Sequence, residues 1–257
     1  MLKKKSLGQH FLRDGSALRK IAEAGHLSPE DTVLEVGPGE GALTELLLAR
    51  AGKVIAVEKD DRLIPILQQK FASEIALGKL SLIHADILDV SPSAYGLEPR
   101  AYSVVANIPY YITGALIRKF LESEHQPSAM VLLVQKEVAR RIVAHDSKES
   151  ILSISVKAYG TPRYLDTVKA GAFSPPPKVD SAIIAIEGIS KKFFEEIDEK
   201  RFFELLKKGF AHPRKLLSSN LGVPAENLLA CGIAEKARPE NLSIDDWKNL
   251  SSFLANS

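Results

Sequence analysis

Thr32-Val-Leu-Glu-Val36, an apolar β-branched run, passes directly into Gly37-Pro-Gly-Glu-Gly41 and then into the helix-forming stretch Ala42–Arg50. A strand that ends in a glycine-rich turn and opens a helix lets a ligand approach the backbone where the first helix begins. Four further runs have the same character: Lys53–Val57, Leu80–His84, Tyr102–Ala106 and Met130–Val134. They are apolar throughout rather than alternating, the pattern of strands buried on both faces. Helix-like stretches such as Leu63–Ala76 lie between them, so the expected fold is α/β with a parallel sheet covered by helices. Ile151–Tyr159 fits period 2 and period 3.6 equally, and Ala182-Ile-Ile-Ala-Ile186 reads as strand.

The character changes near residue 188. Lys191–Phe210 is charged, with Phe193, Ile197, Phe202, Leu205 and Leu206 at helical spacing, and three short helical stretches follow at Leu216–Leu221, Asn227–Cys231 and Asp245–Leu254. Two domains are therefore expected, a larger one over residues 1–187 and a small helical one over 188–257.

Composition removes whole classes. With 45% apolar and 26% charged residues, the 257-residue chain can bury a real core. One cysteine, Cys231, forms no intramolecular disulfide and points to a reducing compartment, so a cytoplasmic location is expected. The longest apolar stretch, residues 129–134, falls far short of the roughly 20 residues of a membrane span. Met1-Leu-Lys-Lys-Lys5 is followed by no hydrophobic segment and is not read as a secretory signal. The six histidines show no HxH or HExxH spacing, so no metal is expected. There is no G-x-S-x-G.

Gly37, Gly39 and Ala42 satisfy a dinucleotide-type G-x-G-x-x-A pattern, which alone is weak and fits a tight strand–helix turn as well. Glu58 closes the next strand, where a carboxylate can accept both hydroxyls of a ribose, and Asp86 follows the third, placed for an adenine amino group. Glu35 and Glu40 in and before the loop would repel a pyrophosphate but suit an ammonium and a sulfonium. The combination favours S-adenosylmethionine over a nicotinamide dinucleotide.

Asn107-Ile-Pro-Tyr110 follows the fourth strand and so reaches the same carboxyl edge. Its chemistry suits an exocyclic amine whose lone pair is delocalised into a ring. The Asn107 side-chain oxygen and the Ile108 carbonyl can accept the two N–H bonds and stabilise positive charge developing on that nitrogen. Pro109 fixes the turn, and Tyr110 offers a face for a base. Taken alone, an Asn-X-Pro turn leaving a strand is an equally good reading.

Together, Gln9-His-Phe-Leu12, Glu35-Val-Gly-Pro-Gly-Glu-Gly41, Glu58, Asp86, Asn107-Ile-Pro-Tyr110 and Phe173-Ser-Pro-Pro-Pro-Lys-Val-Asp-Ser181 resemble, in this order, the ribosomal RNA adenine N6,N6-dimethyltransferases. The resemblance covers nearly the whole chain and is strongest to the branch that modifies small-subunit rRNA. It implies a Rossmann-like methyltransferase domain in which His10, Leu12, Gly37, Glu58, Asp86 and Asn107 surround S-adenosylmethionine. It also implies that Asn107, Tyr110 and Phe173 serve catalysis, with the flipped adenine held between Tyr110 and Phe173. The implied substrate is a pair of adjacent adenosines in a hairpin loop near the 3′ end of small-subunit rRNA, within an assembling 30S particle, and the implied enzyme is a monomer. Two segments depart from the family pattern. Lys148-Glu-Ser-Ile151 stands where many relatives carry Tyr-Gly, and His212-Pro-Arg-Lys215 stands where Arg-Arg-Lys is usual.

The total of 34 basic and 32 acidic residues names no partner, but its distribution does. Residues 1–20 carry an excess of five positive charges, and residues 207–215 carry Lys207, Lys208, Arg214 and Lys215 with no acid. Both segments are candidate phosphate contacts, the second being assigned to RNA binding. Large-subunit rRNA dimethylation, a non-catalytic ribosome-assembly role and a dehydrogenase are the competing readings.

Overall fold

The computed structural model describes residues 10–212 and 214–255. Lys3, Lys4, Lys5 and Gln9 of the basic N-terminal segment, and Pro213, lie outside the described residues.

The six strands read from sequence make up all but one strand of a seven-stranded sheet: β2 (Thr32–Val36), β3 (Lys53–Glu58), β4 (Leu80–His84), β5 (Tyr102–Asn107), β6 (Ala129–Gln135) and β9 (Ser181–Glu187). The order across the sheet is β4-β3-β2-β5-β6-β9-β7, where β7 is Thr161–Val168. Pairs from β4 through β6 are parallel, whereas β9 runs antiparallel to β6, so the sheet is mixed rather than wholly parallel. This is a Rossmann-like α/β fold with one antiparallel strand pair. Apolar runs give this result because β2, β3, β5 and β6 are covered on both faces; Val33, Leu34, Val54, Val104, Val105, Leu132 and Leu133 are all fully buried, whereas the edge strand β4 is partly exposed.

The chain runs outward from β2 through β3 to β4, then returns to place β5 on the other side of β2. That reversal leaves a crevice between the carboxyl ends of β2 and β5, the usual ligand position in an open α/β sheet. Gly37 stands at one lip and Asn107 at the other. A Cβ on Gly37 would lie 3.7 Å from the Asn107 carbonyl oxygen.

The helices are α1 (Gly15–Ala24), α2 (Ala42–Leu48), α3 (Ile64–Lys70), α4 (Ala72–Ala76), α5 (Thr113–Glu122), α6 (Lys136–Ile142) and α7 (Ile151–Lys157). The single helix expected over Leu63–Ala76 breaks at Phe71, whose φ of −113° and ψ of 28° leave the helical region. The Phe71 ring is buried and occupies the space beneath Gly41. The ambiguous 150s form a helix. Ser150 accepts from the Ser153 amide and Ser153 Oγ accepts from the Ser150 amide, a reciprocal cap that periodicity does not register. A two-residue strand, β1 (Phe11–Leu12), pairs antiparallel with β8 (Phe173–Ser174).

Two compact units emerge: one holds Arg163–Ile189 with the described part of Met1–Ala139, the other holds Arg140–Pro162 with the described part of Ser190–Ser257. The change of character at 188 falls next to the Ile189–Ser190 division, but residues 140–162 group with the C-terminal helices rather than with the sheet. The second unit is built on α8 (Glu199–Gly209), α9 (Leu217–Leu221), α10 (Ala225–Ala230) and α11 (Ile244–Ala255). Tyr159 joins it by donating to Glu199 Oε1 and packing near Phe194 and Phe203. No helix among the described residues is long and apolar enough to cross a membrane.

Candidate active site

A cavity of about 440 Å³ opens at the carboxyl edge of β2, β3, β4 and β5, inside the size range of small-molecule pockets. His10, Leu12, Gly37, Glu58, Asp86, Asn107, Tyr110 and Phe173 all line it, so residues up to 163 positions apart meet around one space. All of them belong to the sheet unit.

The glycine loop forms one wall. Gly37, Gly39 and Gly41 have φ of 71°, 61° and 79°, a left-handed conformation that side-chain-bearing residues adopt only with strain. At Gly39 a Cβ would come within 3.1 Å of the Phe11 ring, and at Gly41 within 2.5 Å of Phe71 Cε2. The loop is tied to β3 by the Gly37 amide on the Val57 carbonyl at 2.9 Å.

Glu58 is 5% exposed and is held at both oxygens: the Asp60 amide donates to Oε1 at 2.8 Å and the Gly39 amide to Oε2 at 3.1 Å. Burial pushes its carboxyl upward, while these amides oppose the rise by favouring the ionised form. Asp86, just beyond β4, accepts from the Leu88 amide at 3.0 Å and from Lys59 Nζ at 2.5 Å. The Lys59 ammonium, then the Leu88 amide, hold its carboxyl below the ordinary range.

Asn107 ends β5 and is fixed by pairing with Leu133 of β6. Pro109 leads into a tight turn, Tyr110–Ile112, that runs into α5. The Tyr110 hydroxyl lies 2.6 Å from Ser181 Oγ on β9, and its ring is stacked on His10 with centroids 6.0 Å apart and planes 20° from parallel. His10 Nδ1 in turn donates to the Pro175 carbonyl at 2.9 Å. The short β1–β8 ladder sets Leu12 opposite Phe173, and the Arg13 amide donates to the Ala172 carbonyl.

Tyr110 and Phe173 line one space without touching, and the acids of the loop differ in their burial. Phe173 touches the cavity but is 5% exposed and packed into the hydrophobic core with Leu12, Leu18 and Val168. The ring stacked against Tyr110 is that of His10, and no ring contact joins Tyr110 to Phe173 among the described residues. Glu35, expected to meet a cationic ligand, does not line the cavity; it is 1% exposed, and burial pushes its carboxyl up to about 8, against the opposing Thr44 hydroxyl. Burial therefore favours its protonated form near neutral pH. Glu40 does line the cavity, but its carboxylate is paired with Arg13 at 2.7 Å. The acidic lining therefore consists of Glu40, Glu58 and Asp86, with Glu40 and Asp86 each paired to a basic side chain, and Glu35 lies buried outside it.

Lys59, Arg13 and Tyr111 also line the cavity and escaped the sequence reading. Their only signal is adjacency: Lys59 follows Glu58, Arg13 follows Leu12 and Tyr111 follows the Asn-Ile-Pro-Tyr tetrad. Lys207, Lys208, Arg214 and Lys215 are exposed and belong to the helical unit, the first two in the last turn of α8. Among the described residues no group of three or more His, Cys, Asp or Glu side chains could hold a metal ion.

A family model described as "Ribosomal RNA adenine dimethylase" matches residues 1–256. The chain belongs to that family. As a member of it, the protein is an S-adenosylmethionine-dependent rRNA adenine dimethyltransferase. It is 45% identical over 255 residues to "Ribosomal RNA small subunit methyltransferase A" of Dehalococcoides mccartyi strain 195, covering 96% of this chain and 87% of the relative. A protein of the same name from Bacillus mycoides is 38% identical over 98% of this chain and 91% of its own. Among solved structures, a dimethyladenosine transferase from Plasmodium falciparum superposes with a TM-score of 0.82 at 28% identity, covering 94% of this chain and 96% of that one. The 23S rRNA methyltransferase ErmE superposes with a TM-score of 0.79, also at 28% identity, covering 95% and 99%.

The dimethyltransferase cavity fits its cofactor. Glu58 is ionisable, buried and pre-oriented by two amides at the ribose end of the expected site, and Asp86 is a carboxylate held ionised where an amino group is expected. The glycine loop admits a ligand against backbone that a side chain would obstruct.

Proposed function

We propose that the protein dimethylates N6 of two adjacent adenosines in a hairpin loop near the 3′ end of small-subunit rRNA, acting on an assembling 30S particle as a cytoplasmic monomer. One observation carries the site assignment: Asn107 and Tyr110 share a single cavity with Glu58 and Asp86, so an amine acceptor and an adenosine-recognition set face one space. The choice of the small subunit is supported by relatives of that name at 38–46% identity, against 28% for the large-subunit enzyme ErmE.

S-adenosylmethionine supplies an electrophilic methyl on a sulfonium. The remaining work falls to side chains and backbone of this chain. Glu58 accepts the ribose hydroxyls, and Asp86 accepts the adenine amino group of the cofactor. Gly37 gives the backbone approach, while His10 and Leu12 close the wall formed by β1. The target base leaves its stack and lies on Tyr110, whose ring is steadied by the hydroxyl contact to Ser181. Phe173 bounds that space from the core side. His10 backs one face of the Tyr110 ring and is itself held by its bond to the Pro175 carbonyl. Asn107 Oδ1 and the Ile108 carbonyl accept the two N–H bonds of N6, draw it toward tetrahedral geometry and stabilise the charge that develops there. No strong base is required, because the proton becomes acidic only after the methyl has arrived. Catalysis therefore rests on positioning and electrostatics.

The sheet unit performs this chemistry, and the helical unit contacts rRNA through the exposed Lys207, Lys208, Arg214 and Lys215. Labelled methyl transfer to unmethylated small subunits, with modified nucleotides mapped by mass spectrometry, tests the proposal. N6,N6-dimethyladenosine at two adjacent positions of small-subunit rRNA is expected. Transfer confined to large-subunit RNA, or a single modified position, would overturn the substrate assignment.

A further inference from the structure

Tyr110 and Tyr111 are consecutive residues of one tight turn, yet their environments differ sharply. Tyr110 is half-buried and engaged on two sides, its hydroxyl by Ser181 and its ring by His10. Tyr111 lines the same cavity but is 63% exposed. The other exposed aromatic among the described residues, Tyr95 at 37%, does not line the cavity. A 3-10 turn advances its side chains by about 120° per residue, so the two rings cannot form one clamp on the same base. Tyr110 faces inward and Tyr111 stands at the rim, with Lys59 within electrostatic reach of its hydroxyl.

We propose that Tyr111 is a second base-binding subsite, the platform on which the nucleotide next to the methylated adenine stacks. The assignment rests on the dimethylation reading of the cavity and adds what holds the RNA beside it. A base that enters the cavity loses its stacking with both neighbours, and those neighbours remain one nucleotide step from it. Tyr110 and Tyr111 are adjacent in one turn and line one cavity, so the rim ring stands beside the space assigned to the target base. An exposed tyrosine gives a flat apolar face that any base can use, so the subsite supplies affinity and register rather than sequence readout. For a substrate of two adjacent adenosines, one flank of either target is the other adenosine. A platform of fixed polarity meets that partner adenosine in one round and the next nucleotide in the other, and a flat ring accepts either.

High exposure also makes the test clean, because Tyr111→Ala removes little packing. Small subunits reconstituted with intact RNA, or with an abasic nucleotide placed in turn on each side of the target adenosine, would be methylated by the wild type, Tyr111→Ala, Tyr111→Phe and Tyr111→Trp. The expected result is a rise in KM for intact subunits of about 5- to 100-fold in Tyr111→Ala. S-adenosylmethionine affinity should stay unchanged, and Phe and Trp should restore the wild-type KM. An abasic nucleotide on one side should impose the same loss on the wild type and none further on Tyr111→Ala. Wild-type KM in Tyr111→Ala, or losses that simply multiply when variant and abasic site are combined, would overturn the subsite alone. A wild type that transfers no methyl to intact subunits would overturn the dimethylation reading and the subsite with it.

Discussion

The Gly39 amide donates to Glu58 Oε2 at 3.1 Å, linking residues 19 apart in sequence. Through this bond the glycine loop after β2 and the carboxylate at the end of β3 hold each other in place. The Asp60 amide holds the other oxygen, so the carboxylate is oriented before any ligand arrives.

Glu58→Ala removes that acceptor and the proposed ribose contact together. Hydrogen bonds to charged groups contribute about 1.5–3 kcal/mol. The dissociation constant for S-adenosylmethionine should therefore rise by about 10- to 100-fold in calorimetry. An unchanged constant would refute the ribose assignment.

Asn107→Ala should separate binding from chemistry. Its side chain is assigned to the reacting nitrogen, so cofactor affinity should stay within a few-fold while methyl transfer falls by about 100- to 1,000-fold, as when one preorganised polar group is removed from a developing charge. Single-turnover transfer with saturating cofactor measures this. Normal transfer would refute the role of the tetrad.

Lys59→Met should change the pH dependence of cofactor binding more than its value at neutral pH. Lys59 contributes first to the lowering of the Asp86 carboxyl, with the Leu88 amide second and Lys119 adding a smaller effect. An ionised Asp86 is required to accept the amino group, so affinity falls as pH drops through its pKa. Without Lys59 that fall should begin at higher pH, and Lys59→Arg should restore the wild-type profile. Titrations of affinity between about pH 3 and pH 6 discriminate the cases, a window that brackets the ordinary aspartate value.

Glu35 gives a stability prediction of opposite sign. Its carboxyl is pushed from an ordinary 4.5 up to about 8 by burial, so the folded chain holds a proton that the unfolded chain releases. Linkage then lowers folding stability as pH rises from about 4.5 towards 8. Glu35→Gln keeps a neutral side chain of the same shape, so it should unfold at a higher temperature than the wild type at pH 8 and flatten the decline. Thermal unfolding across that range checks it, and parallel curves would refute the buried neutral state.

Replacing Lys207, Lys208, Arg214 and Lys215 with alanine should weaken association with small-subunit rRNA and make it less sensitive to salt. If all four meet phosphates, the slope of log K against log salt should become shallower by about 3 to 4. An unchanged slope would leave them as solvated charges at a helix end.

Much of the fold was legible because buried parallel strands impose a strong local constraint. β2 and β4 were read to the residue, and β3, β5 and β6 to within one at either end. The break at Phe71 was not legible, since the ring is drawn out of the helical pattern by a space beneath Gly41, a contact made across 30 residues. The grouping of residues 140–162 with the later helices was equally hidden, because α7 owes its start to a serine cap and its partners to distant chain.

The same division holds at the site. By itself the sequence determined which groups stand at strand ends: Gly37, Glu58, Asp86 and Asn107 each close or follow a β-branched-rich strand run, and strand ends in such a sheet converge on one edge. Only the tertiary structure decided which way the side chains point and what neutralises them. It buried Glu35 so that its protonated form is favoured, paired Glu40 with Arg13, put His10 on the face of Tyr110 and left Tyr111 at the rim. Backbone periodicity is a local property carried by each segment, whereas burial, ion pairing and ring stacking depend on partners brought from far along the chain.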